Sequence, residues 1–179
     1  MAELARNLTL DGAIVDVIMT PAAQRFVGAA TFQALTGRPV LADMWALPED
    51  GVVGHVALGQ GADIVVLAPA TANTLARLAA GMSDDLLTTT VLATAAPILC
   101  VPAMNTQMYA NAATQANIAT LRRRGMVVLE PEVGRLAEPM VGKGRPAGVC
   151  GHRRGQRGDR RGLPAAPAAE VAQYLMGDA

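Results

Sequence analysis

The sequence is poor in aromatic residues, cysteine and histidine: its 179 residues include two Phe, two Tyr, one Trp, two Cys and two His. Cys100, in an apolar run, and Cys150, in a Gly/Arg-rich stretch, are too few for a disulfide framework and lack the spacing of metal ligands. Cys100 is expected to be a buried, inert thiol, because apolar surroundings raise its pKa. Neither sign of charge dominates, since Lys+Arg and Asp+Glu number 15 each, so no global field directs the chain to nucleic acid or to an anionic membrane. No apolar run approaches the roughly 20 residues of a membrane span. The amino terminus has neither the basic nor the apolar region of a signal peptide, so a cytoplasmic location is expected.

What is abundant is small and aliphatic. Hydrophobic residues make up 51% of the chain, the profile of an α/β domain built on a buried parallel sheet. Met1 to Leu8 has helical periodicity, Asp11-Gly12 signals a turn, and Ala13 to Met19 predicts a strand. Thr20-Pro21 has the form of an N-cap followed by proline, so Ala22 to Val27 is expected to begin a helix with amides facing an anion. Thr31 to Leu35 is a helical piece closed by Gly37, Val40 to Met44 a short strand, Leu47 to Gly51 a polar loop, and Gly54 to Leu58 the start of a helix. Strands at Asp63–Ala68, Ile98–Val101 and Val127–Leu129 then alternate with helices at Ala72–Ala80, Leu86–Ala93, Thr106–Ala110 and Thr114–Arg124. That alternation predicts an α/β doubly wound parallel sheet.

Composition changes after Gly142. Lys143 to Gly162 holds seven of the 15 basic residues, one acid and many glycines, with almost nothing apolar to pack, and is expected to be disordered. Residues 1–145 are therefore expected to form the domain, 146–164 a linker, and 165–179 a tail in which Ala165 to Met176 is helical.

Function is expected at two turns built alike. Pro69-Ala70-Thr71-Ala72-Asn73-Thr74 and Pro102-Ala103-Met104-Asn105 each follow an apolar run and each lead into a helix. Such turns lie at the carboxyl ends of parallel strands, where ligands bind, and small polar residues there let the backbone approach a flat ligand. Either turn alone is equally a sound strand-to-helix connection.

Taken in order, these motifs resemble the flavin-containing cysteine decarboxylases. The likeness runs from about Met1 to Arg145 and includes Val17 to Phe26, Thr31 to Gly37, Gly54-His55, Gly81 to Leu87 and Pro102 to Tyr109. It implies a flavodoxin-like (Rossmann-like) fold and FMN as cofactor, held by Thr20, Ala22, Phe26, Thr71, Ala72, Asn73, Thr74 and Ala103. It further implies His55 as acid–base residue, Asn105 as ligand of the substrate carboxylate, and Met108 and Arg145 as substrate contacts. Glu138 stands in a flap-like segment, Gly134 to Pro139, where family members usually have a proton-donating cysteine. Members open with a further strand and a Gly-rich loop around the FMN phosphate. This sequence begins at the following helix, so the resemblance implies a sheet lacking its first strand, with Thr20 and the amides of Ala22 and Ala23 left for the phosphate.

The implied activity is FMN-dependent decarboxylation of the cysteine moiety of phosphopantothenoylcysteine to phosphopantetheine, in coenzyme A synthesis. The implied partners are a small-molecule substrate, further copies of the chain in a homotrimer or larger homo-oligomer, and a separate phosphopantothenate–cysteine ligase. Two alternatives stay open: a peptidyl-cysteine decarboxylase that stops at an ene-thiol, and a non-catalytic binding or regulatory member.

Overall fold

The computed structural model describes residues 1–46, 54–135, 141–146 and 171–176. Helix α1 (Ala2–Leu10) lays Leu4 and Ala5 against the sheet and ends where Gly12 takes φ +92°, a left-handed value that favours glycine. After β1 (Ile14–Met19) come a 3-10 turn at Ala23–Arg25, α2 (Ala29–Thr36), β2 (Val40–Leu41) and α3 (Gly54–Gly61). Next are β3 (Ile64–Ala70), α4 (Ala72–Ala80), α5 (Leu86–Ala93), β4 (Ile98–Pro102), α6 (Thr106–Ala110), α7 (Ala112–Arg123) and β5 (Val127–Val128). An antiparallel hairpin, β6 (Glu132–Arg135) and β7 (Val141–Arg145), and finally β8 (Val171–Met176) complete the described elements.

The main sheet is parallel throughout, in the order β2-β1-β8-β3-β4-β5. Strand alternation divides the core into two layers. Val65 and Leu67 of β3, Ile18 of β1 and Cys100 of β4 face a cluster formed with Leu58, Leu75, Leu87, Val91, Ile118 and Leu121 from α3, α4, α5 and α7. Val66, Val15, Val17, Leu99 and Val101 point the other way, onto Leu4 and Phe32 of α1 and α2. Helices on both faces explain why the strands read as continuous apolar runs. The doubly wound, flavodoxin-like fold expected from the sequence is the fold observed.

Four expectations need correction. The helix expected from Thr20-Pro21 is a single 3-10 turn: the Thr20 hydroxyl does accept from Ala23 N–H at 3.1 Å, as a cap would, but Gly28 is extended (φ −74°, ψ 147°) and ends the segment before α2 begins. The strand expected over Val40–Met44 covers only Val40–Leu41. Lys143, Gly144 and Arg145, expected to open a disordered stretch, belong to β7, where pairing with β6 supplies the backbone partners that composition alone does not reveal.

The fourth correction is the largest. The helix expected over Ala165–Met176 is, over Val171–Met176, the strand β8, parallel to β1 from Ile14↔Val171 to Met19↔Met176 and to β3 from Ile64↔Ala172 to Leu67↔Leu175. β1 and β3 each present a ladder edge to this position, and a strand there bonds on both sides, which outweighs the helical propensity of Ala, Gln, Leu and Met. The sheet therefore has a strand where the sequence predicted none. The winding runs outward from β1 to β2 and from β3 to β4, so β8 sits at the switch point where ligands bind in such sheets. Leu47–Gly51, Glu138, Cys150 and most of the 146–164 segment lie outside the described residues.

Candidate functional site

Because all six strands are parallel, their carboxyl ends share one edge. β3 and β4 finish side by side there, with Ala70 opposite Pro102 and Ala103 N–H donating to the Ala70 carbonyl at 3.0 Å. The two turns singled out in the sequence are thus joined by a backbone hydrogen bond. In the first, Thr71 caps α4: its hydroxyl accepts from Thr74 N–H at 3.2 Å and lies 3.2 Å from the Thr74 hydroxyl. Thr74 is buried, so its side chain serves the turn itself, while Thr71 and Ala72 are half-buried and Asn73 is exposed at the rim.

In the second turn Asn105 caps α6, its Oδ1 accepting from Gln107 N–H at 2.8 Å. That bond fixes the amide plane, and Nδ2 is the end of this side chain that carries donors a carboxylate can accept from. Met108 is 50% exposed beside it. The β6–β7 hairpin docks on this turn, since Met104 N–H donates to the Gly144 carbonyl at 3.2 Å, and Arg145 is the next residue along β7.

A polar knot behind the turn has no signature in the sequence. Glu130, just past β5, accepts from Tyr109 Oη at 3.0 Å and Arg122 Nη2 at 2.6 Å, and pairs with Lys143 Nζ at 2.5 Å; Lys143 also stands 5.5 Å from the centre of the Tyr109 ring. Lys143 and Arg122, with a lesser contribution from Tyr109 and against the opposing effect of burial, hold the Glu130 carboxyl down at about 2. Only chain folding brings these four residues together, so no local pattern announces them.

His55 is the second residue of α3, which runs back from the carboxyl end of β2 to the start of β3 and therefore begins at the same edge. Its Nδ1 is buried with no hydrogen-bond partner among the described residues, and the Thr106 hydroxyl is in the same condition. Thr20, Ala22 and Phe26 follow β1, two strand spacings or about 10 Å from the β3 turn. Thr20 is buried and accepts from Ala23 N–H, so that amide is already engaged, whereas Phe26 is 73% exposed. A small cleft beside Thr20, Pro21 and Ala42 is also lined by the acid Asp85, an unfavourable neighbour for a phosphate. Thr71, Ala72, Asn73, Ala103, Asn105 and Met108 are therefore gathered at the paired turns, while Thr20, Ala22 and Phe26 stand apart from them. Among the described residues no cluster could hold a metal ion, and no helix is long and apolar enough to cross a membrane.

The model of the Flavoprotein family matches residues 1–149. Curated relatives include the coenzyme A biosynthesis bifunctional protein CoaBC of Mycobacterium tuberculosis, 56% identical over 142 residues, covering 79% of this chain and 34% of that protein. The protein of the same name from Vibrio cholerae is 51% identical over 144 residues, covering 80% of this chain and 36% of that one. The chain thus spans about a third of the length of the curated relatives it matches. Among solved structures, a PPC decarboxylase variant complexed with pantothenoylaminoethenethiol superposes with TM-score 0.69 at 30% identity, covering 82% of this chain and 84% of that one. The FMN-dependent cysteine decarboxylase SpaF superposes with TM-score 0.67 at 35% identity, covering 80% and 83%.

Proposed function

Because the chain belongs to the Flavoprotein family, we propose that it binds FMN at the paired β3 and β4 turns and decarboxylates the cysteine moiety of phosphopantothenoylcysteine. The observation that carries this reading is the Ala103–Ala70 hydrogen bond, which sets a carboxylate donor, Asn105, beside a platform of small residues. The platform suits a flat polar ring: Thr71, Ala72 and Ala103 leave room for its face, and Asn73 stands at the rim with both a donor and an acceptor group. The phosphate end is less well served, given the engaged Ala23 amide and the nearby Asp85.

FMN, when bound, supplies the two-electron oxidation of the substrate thiol that turns the neighbouring carboxylate into a leaving group. Asn105 holds that carboxylate through Nδ2, and its fixed Oδ1 keeps the donor oriented. His55, an imidazole that can both take up and give back a proton, handles the proton of the substrate thiol. Thr74 acts indirectly, by holding Thr71. Met108 offers apolar surface to the substrate arm, and Arg145 brings a cation for an anionic group. Thr20, Ala22 and Phe26 are assigned to the far side of the cofactor, and the chain to a homotrimer or larger homo-oligomer.

Glu138 favours a second reading. A carboxyl replaces the thiol that returns a proton in the reductive half of the reaction, so release at the ene-thiol is the alternative end point, with peptidyl cysteine as the alternative substrate.

Carbon dioxide release and flavin fluorescence, measured together on Asn105→Asp, test the proposal. Decarboxylation should fall by roughly 100-fold or more while flavin binding changes little, because the new carboxylate repels that of the substrate. Undiminished turnover in this variant refutes the assignment.

A further inference from the structure

Glu130 lies at the junction of three elements, each joined to it by a different group. Arg122 of α7 anchors it from behind, bonding both the Val128 carbonyl at 3.0 Å and Glu130 Oε1 at 2.6 Å. Oε2 takes Tyr109 of α6 and Lys143 of β7. From these contacts a closed circuit can be traced. Lys143 adjoins Gly144, whose carbonyl accepts from Met104 N–H at 3.2 Å; Met104 adjoins Asn105, whose carbonyl accepts from Tyr109 N–H at 2.9 Å; and Tyr109 returns to Glu130. The circuit encloses the turn that carries Asn105.

We propose that Glu130 is a positioning residue that fastens the β6–β7 hairpin to the 102–105 turn, and so sets where Asn105 presents its amide. Its importance for turnover rests on the proposed reading of that turn as the substrate-carboxylate site. The hairpin has its own two-stranded ladder but no place in the main sheet, so its attachment depends on such contacts. One carboxylate neutralises two cations here. Removing its charge therefore loosens both partners and leaves Arg122 and Lys143 facing each other uncompensated.

The test is residue-resolved amide exchange on the full chain, with Glu130→Gln, which keeps the shape and removes the charge, and with Lys143→Met and Lys143→Arg. In Glu130→Gln the Met104 amide should exchange about tenfold faster, the scale of one or two half-exposed ion pairs lost, while Val17 in the sheet core exchanges as before. Lys143→Met should match it, Lys143→Arg should restore slow exchange, and the two losses should not add when combined. In turnover assays KM should rise several-fold with kcat nearly held, since binding geometry rather than chemistry is disturbed. Unchanged Met104 exchange in Glu130→Gln overturns the proposal, as does equal acceleration at Val17 or full additivity with Lys143→Met. If even the unmodified chain shows no turnover, the functional reading fails while the exchange result still decides the role of Glu130.

Discussion

Asp85 offers a prediction whose magnitude can be worked out contact by contact. Its Oδ1 accepts from Thr88 N–H at 2.8 Å, and Thr88 Oγ1 lies 3.4 Å from Asp85 N–H, a reciprocal cap on α5. Its Oδ2 accepts from Arg77 Nη1 at 2.8 Å, an ion pair whose side chains are 25% and 15% exposed, and Arg77 also pairs with Asp84. Losing a cap of this kind costs about 1 kcal/mol. The ion pair, partly screened and with Arg77 keeping Asp84 as partner, adds about 1 kcal/mol. Asp85→Ala should therefore destabilise the chain by about 2 kcal/mol and lower Tm by about 4–8 °C for a chain of this size. Asp85→Asn keeps a capping oxygen and loses only the charge, so it should lose about half as much.

The same contacts fix the pH dependence. Burial opposes ionisation of Asp85, but the Thr88 amide and Arg77 prevail and hold the carboxyl below its ordinary value. A carboxyl whose pKa is lowered by folding contributes its full stabilisation above the unfolded value, near 4, and loses it as pH falls through the folded value. The Tm gap between the parent chain and Asp85→Asn should thus be widest near pH 7 and close as the solution is acidified below about pH 4. Circular dichroism melts across this range supply the measurement. A gap that does not change with pH, or Asp85→Ala no worse than Asp85→Asn, would refute the assignment of separate cap and charge contributions.

Two further outcomes are expected. Cys100 is fully buried and burial pushes its thiol up to about 12, so in a Cys150→Ser background a thiol reagent at pH 8 should label the chain only after denaturant unfolds it; labelling of the native chain would contradict its place in the core. Removing residues 171–179 should expose the facing edges of β1 and β3, broadening the urea transition and promoting association, and a truncated chain that unfolds as sharply as the parent would show that β8 adds nothing to the sheet.

Local signals account for what was legible in the sequence. α4, α5 and α6 begin and end where the sequence predicts because each boundary has its own chemical cause within a few residues: Thr71 and Asp85 as caps, Gly81 in the left-handed region at φ +72°, and Asn105 before α6. The two Pro-Ala turns were legible for the same reason. The Thr20-Pro21 start failed because its cap bond is present but extended Gly28 interrupts the segment before a helix can propagate.

Partners distant along the chain set the features that the sequence could not disclose. Val171 to Met176 has no intrinsic reason to be extended; it pairs as a strand because Ile14–Met19 and Ile64–Leu67 present parallel edges one strand-width apart on either side of it. Glu130 is one acid before a proline until folding brings Tyr109, Arg122 and Lys143 to it. Both cases bear on the same edge of the sheet. The carboxyl end of β8 lies at the switch point, between the Thr20 region after β1 and the Thr71 turn after β3. The ring end of the proposed site thus rests on short-range turn chemistry, whereas its phosphate end and its hairpin depend on long-range pairing. Substitutions in the Pro-Ala turns should therefore act locally, and changes to β8 or Glu130 should alter how the parts of the site are held together.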